Sequence, residues 1–159
     1  MPKAWSEEKI RQLIGPHAER RGGLLEALHA LFDHFGYIEE TALPVVADVF
    51  NLSRAEVHGV VSFYHDFRKS PPGRHVIKIC QAEACQAVGS RELTRHAKKS
   101  LGIDFHENSK GGGFTLEPVY CLGNCAATPA VMVDDTVYGR VNPDRFDQIV
   151  QKHNKGALK

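Results

Sequence analysis

The chain lacks several features that would assign it at once. No apolar run approaches the roughly 18 residues of a membrane span, so membrane insertion is not expected. No sign of charge dominates: 20 Lys and Arg stand against 19 Asp and Glu in 159 residues, a formal net charge of +1. That balance argues against a nucleic-acid binder held by bulk charge. The first residues lack the apolar stretch of a secretory signal and carry Glu7, Glu8, Lys9 and Arg11 instead. The expected compartment is the cytoplasm, where cysteines are thiols or metal ligands rather than disulfides. Cys-x-x-Cys is absent, which disfavours thiol–disulfide exchange, and His-Glu-x-x-His and the Walker phosphate-loop pattern are absent too.

What is present is unevenly spread. All four cysteines lie between Cys80 and Cys125, and the first half has none. Residues 1–73 carry 8 basic and 10 acidic side chains, and residues 74–159 carry 12 and 9. Ser70-Pro71-Pro72-Gly73 lies at the join and reads as a linker. Two domains follow, 1–73 and 74–159, with the chemistry in the second.

The first domain reads as a helical bundle. Leu24, Leu25, Leu28, Leu31, Phe32 and Phe35 share one helical face, and Gly36 stands where a C-terminal cap wants glycine. Leu43, Val46, Ala47 and Phe50 predict another helix. Ser53-Arg54-Ala55-Glu56 is a capping box, opening a helix whose buried stripe is Val57, Val60, Val61 and Tyr64. Ile10, Leu13 and Ile14 suggest a weaker first helix that breaks near Gly15-Pro16. These stripes are bundle core rather than a cofactor box. The aromatic group Phe63, Tyr64 and Phe67 makes the bundle a candidate docking element.

The second domain alternates strand and helix. His75–Cys80 and Phe114–Tyr120 read as strands around a helix from Gly89 to Leu101. Ala130–Val133 and Thr136–Val141 form a hairpin turning at Asp134-Asp135, and Asn142-Pro143 opens a last helix. The order is β-α-β-β-β-α, expected as a small thioredoxin-like α/β sandwich, so the whole chain is α+β/α/β. If the first two strands are parallel, Cys80 and Cys121 end on one edge of the sheet. Cys85 and Cys125 then follow on their own loops, and four thiolates converge.

Structural zinc favours Cys-x2-Cys knuckles, whereas four and three residues intervene here. An iron–sulfur cluster suits longer loops, and four cysteines in two pairs would hold one [2Fe–2S] cluster, two on each iron. Ala82, Ala84, Gly89, Gly123, Ala126 and Ala127 would let backbone amides approach the sulfurs. A zinc-stabilised interaction module stays open as a reading from a different class.

The run Cys80-x4-Cys85, then Cys121-Leu122-Gly123-Asn124-Cys125 with Pro129 after it, resembles the thioredoxin-like [2Fe–2S] ferredoxins. More narrowly it is similar to the small subunits that pair with an FMN-binding flavoprotein. These are the 24-kDa subunit of respiratory complex I, its counterpart in NAD-linked hydrogenases, and the gamma subunit of soluble NAD-dependent formate dehydrogenase. Residues 51–60, 82–86, 105–107 and 115–123 look most like the last of these. Lys110-Gly111-Gly112-Gly113 departs from the usual Asp-Gly turn, and Ala127-Thr128 lies in a variable stretch.

The resemblance implies an electron-transfer subunit with no catalytic site of its own, ligating its cluster through Cys80, Cys85, Cys121 and Cys125. FMN, NAD and a molybdenum or tungsten pterin belong to its partners: an FMN- and NAD-binding flavoprotein and, indirectly, a large pterin-containing formate dehydrogenase subunit. For the isolated chain a second copy of itself is a candidate partner. The nine histidines (17, 29, 34, 58, 65, 75, 96, 106 and 153) read as surface or packing residues, His58 and His65 being the exceptions to watch beside the expected interface. Lys98-Lys99 reads as a solvated helix face, and Thr128-Pro129 is a candidate cis bond.

Overall fold

A computed structural model describes residues 5–155. The chain divides into two compact units, Met1–Pro71 and Pro72–Lys159. The join therefore falls two residues before the expected boundary at Gly73. Gly73 belongs to the second unit because its N–H donates to Thr115 Oγ1 at 2.6 Å. A Cβ there would lie 2.8 Å from the Phe114 carbonyl carbon, so glycine permits this approach.

The first unit contains α1 (Glu7–Ile14), α2 (Gly23–Phe35), α3 (Leu43–Phe50) and α4 (Arg54–Phe63). A 3-10 turn at Gly15–His17 follows α1, where the sequence breaks at Gly15-Pro16. Gly36 ends α2 at φ 82°, a left-handed conformation that glycine adopts freely. Both arms of the capping box at Ser53 and Glu56 are formed, fixing the start of α4. Helix α1 packs on α2 and α3, and α3 on α4. Ile10, Ile14, Leu28, Leu31, Val46 and Val57 form the buried centre. The expected stripe of α4 is one residue too long. The helix stops at Phe63, and Tyr64, as its C-cap, is 40% exposed.

The second unit is built on four strands, β1 (His75–Cys80), β2 (Phe114–Val119), β3 (Val131–Val133) and β4 (Thr136–Tyr138), in the order β2-β1-β3-β4. Strands β1 and β2 are parallel, while β3 runs antiparallel to both β1 and β4. Between β1 and β2 lie α5 (Glu83–Ala87) and α6 (Ser90–Leu101), and α7 (Pro143–Lys155) follows β4. The order is thus β-α-α-β-β-β-α, with one short helix more than expected. Helix α6 packs on α7 and touches β1. Ile77, Leu93, Leu116, Val131 and Phe146 share one core.

The hairpin's second strand is shorter than the β-rich run Thr136–Val141 suggests. After Tyr138 the backbone leaves the ladder: Arg140 N–H donates to Ala127 O at 2.8 Å and Val141 N–H to Pro129 O at 3.0 Å. Those bonds hold the loop that carries Cys125. The Thr128-Pro129 peptide is cis. Among the described residues no helix is long and apolar enough to cross a membrane.

Candidate metal centre

The parallel register of β1 and β2 sets the geometry. Cys80 pairs with Val119, so Cys121 begins two residues past the same end of the sheet. The pairing reaches one step beyond β1, where Gln81 N–H donates to Val119 O at 2.7 Å. Cys80 itself is buried, with its N–H on Ala130 O at 3.1 Å. Its carbonyl accepts the buried Ser90 hydroxyl at 2.5 Å, which ties the start of α6 to the end of β1.

Cys85 is also buried, but it stands within α5 rather than in the expected loop. Five residues of helix turn it back toward Cys80. Side chains brace that turn: Gln86 Nε2 donates to Gln81 O at 2.6 Å and Gln81 Nε2 to Thr94 Oγ1 at 2.9 Å. The glutamines and Ser90 carry no sequence pattern that marks them for this task.

The second pair is arranged differently. Cys121 and Cys125 are exposed, and their sulfurs lie 3.8 Å apart. Two thiolates on one tetrahedral metal at about 2.3 Å are separated by about the same distance. Cys121 takes φ 149°, an uncommon value for a residue with a side chain. Gly123, at φ 70°, turns its N–H onto Cys121 Sγ at 3.3 Å. Of the small residues expected to donate amides to sulfur, Gly123 does so. The Ala130 amide lowers the Cys85 thiol, and the Cys125 amide lowers its own.

The thiols of Cys85 and Cys125 both register neighbouring sulfurs. Burial pushes the Cys85 thiol up, and nearby Cys80 and Cys125 push it further, against the Ala130 amide. Cys125 is pushed up first by its hydrogen bond with Cys121, with Cys80 adding to the effect. Crowded thiols resist ionising together unless a cation compensates them. A metal-bearing group supplies that compensation, and the donor set fits one that takes four sulfurs.

Gly139 is a site-supporting residue the sequence reading missed. A Cβ there would meet Ala127 O and Asn124 Nδ2 at 2.7 Å, so the Cys125 loop closes only over glycine. Its position just after a hairpin strand was the available signal.

A fold and a sulfur site of this kind define an electron-carrying ferredoxin-like protein. The chain belongs to the thioredoxin-like [2Fe–2S] ferredoxin family, whose model matches residues 10–154, and its cofactor is a [2Fe–2S] cluster. It is 33% identical over 137 residues to a subunit of the NADH-quinone oxidoreductase of Pseudomonas aeruginosa, covering 86% of this chain and 82% of that protein. It is 33% identical over 145 residues to a subunit of the NADP-reducing hydrogenase of Solidesulfovibrio fructosivorans, covering 91% and 85%. A crystal structure of an NAD+-reducing [NiFe]-hydrogenase in the H2-reduced state superposes with a TM-score of 0.68 at 24% identity. That match covers 84% of this chain and 22% of the hydrogenase chain, and it supports the fold.

Proposed function

We propose that Cys80, Cys85, Cys121 and Cys125 ligate the cluster, two sulfurs to each iron, in a cytoplasmic electron-transfer subunit of an NAD-linked oxidoreductase complex. What supports this reading is that Cys85 interacts with Cys80 and Cys125, and Cys125 with Cys121 and Cys80, the first two being buried and the last two exposed. When bound, the cluster supplies one-electron uptake and release. The buried pair excludes water from one side, while Gly123 and Ala130 amides offset thiolate charge. The exposed pair leaves the other side open to a partner, with Tyr120 beside it 76% exposed.

The proposed partner is an FMN- and NAD-binding flavoprotein, with the helical domain, residues 1–73, as a docking element. Two relatives named as subunits of NADH-quinone oxidoreductase and NADP-reducing hydrogenase support a place in such a complex. Among possible parents we favour NAD-dependent formate dehydrogenase, on the resemblance of residues 51–60, 82–86, 105–107 and 115–123 to its gamma subunit. The complex I and hydrogenase readings rest on the same relatives.

Iron and sulfide analysis with low-temperature spin resonance tests the cluster. About two irons and two labile sulfides per chain are expected, with a signal on reduction. A colourless protein holding one zinc and no sulfide would sink the reading. Purification from native cells tests the parent complex. Formate-dependent NAD reduction with molybdenum or tungsten supports formate dehydrogenase, whereas recovery with quinone-reductase or hydrogenase subunits overturns it.

A further inference from the structure

A second cluster of metal-ligating side chains stands apart from the cysteines. His75 opens β1, Asp134 lies in the β3–β4 turn, and His153 is near the end of α7. One ligand atom from each lies within 4.8 Å of the other two. Cys80 closes the strand that His75 opens, so the two clusters are about 16 Å apart at about 3.3 Å per residue.

The three side chains are already oriented. Asp134 Oδ1 accepts the Val76 N–H at 2.9 Å, and Oδ2 stands 2.8 Å from His75 Nδ1. The Asp134 N–H in turn donates to Val76 O at 2.9 Å, which fixes the turn against β1. The His75 and His153 rings meet edge to face with centroids 5.0 Å apart. Tyr138 Oη is 3.3 Å from His153 Nε2. His75 and His153 are half-buried and Asp134 is exposed, so an ion from solvent can reach the group.

We propose that His75, Asp134 and His153 bind one divalent transition-metal ion, with zinc the best match. Two imidazoles and one carboxylate form a borderline-soft set that suits zinc, and three protein ligands leave a fourth position for water. Magnesium prefers oxygen ligands and retains its own water, so it is rejected here. Ligands from β1, the hairpin and α7 make the ion a clip between the last helix and the sheet. The site does not depend on how the cysteines are used.

The test is calorimetric titration of the cluster-loaded full chain with Zn2+ at neutral pH, with the cluster's visible absorption followed throughout. One zinc per chain is expected, with no heat from Mg2+ and no bleaching. His153→Gln removes one imidazole and should weaken binding at least about tenfold. Asp134→Asn should do the same while keeping the turn, because asparagine tolerates the local φ of 52° and can still accept from Val76. Absence of saturable zinc binding overturns the proposal. So does zinc uptake that bleaches the cluster, or an affinity unchanged in both variants while circular dichroism reports a native fold.

Discussion

The sulfurs of Cys121 and Cys125 stand 3.8 Å apart at the surface, on a loop held by the backbone N–H groups of Arg140 and Val141. The other two cysteines are buried. This asymmetry gives the site a side that meets solvent first.

Cluster loss should begin on that side. With an iron chelator, Cys121→Ser and Cys125→Ser proteins are expected to bleach faster than wild type. Cys80→Ser and Cys85→Ser should fail to accumulate cluster at all, because a buried hydroxyl replaces a thiolate with no solvent access to compensate. Iron content after reconstitution and the bleaching rate at fixed chelator check both expectations.

Gly139→Ala probes the support of the Cys125 loop. The added methyl collides with Ala127 O and Asn124 Nδ2, and overpacking of this kind costs about 1–3 kcal/mol. Thermal unfolding should report that loss, and cluster release should quicken. Gly59→Ala, inside α4 where a Cβ meets nothing within 4 Å, should by contrast raise stability by up to about 1 kcal/mol and leave cluster release unchanged.

Ser90→Ala removes the hydroxyl that satisfies the Cys80 carbonyl. A buried acceptor left without its partner costs about 1–3 kcal/mol. Urea unfolding is expected to reveal the change, with α6 loosened from the end of β1. Unchanged stability would mean that another donor takes over.

The capping box supplies a pH-dependent term. Glu56 is held below the usual carboxylate range, first by the Ser53 N–H and then by its hydroxyl. A carboxyl lowered by folding adds stability above its unfolded pKa, and that contribution disappears as pH falls through the folded one. Glu56→Gln should therefore be less stable than wild type at neutral pH and lose that difference in acid. Ser53→Ala, which removes the cap itself, should cost about 1 kcal/mol. Urea midpoints across the acid range measure both.

The helices of the first unit are legible because their apolar residues repeat at the helical period and their ends carry caps. Gly36 and Ser53 mark real boundaries for that reason. Periodicity cannot find α5, since Glu83–Ala87 is barely longer than one turn. It also overextends α4 to Tyr64, where aromatic character imitates a buried stripe. The site is partly legible: a parallel β1–β2 pair necessarily brings the starts of both cysteine loops to one edge. Its bracing by Ser90, Gln81 and Gly139 is not, because those contacts depend on tertiary approach. The meeting of His75 with His153 is hidden likewise, since the two residues lie at opposite ends of the second unit's sequence.

The join at Pro71-Pro72 has a consequence for how the two units coexist. Neither proline has an N–H to donate, and each restricts the residue before it to extended backbone. Helix α4 has already ended at Phe63 and β1 begins only at His75, so the prolines lie in the irregular stretch between them. Regular helix and central strand are both unfavourable across that stretch, so the segment joining the units is not readily absorbed into either of them.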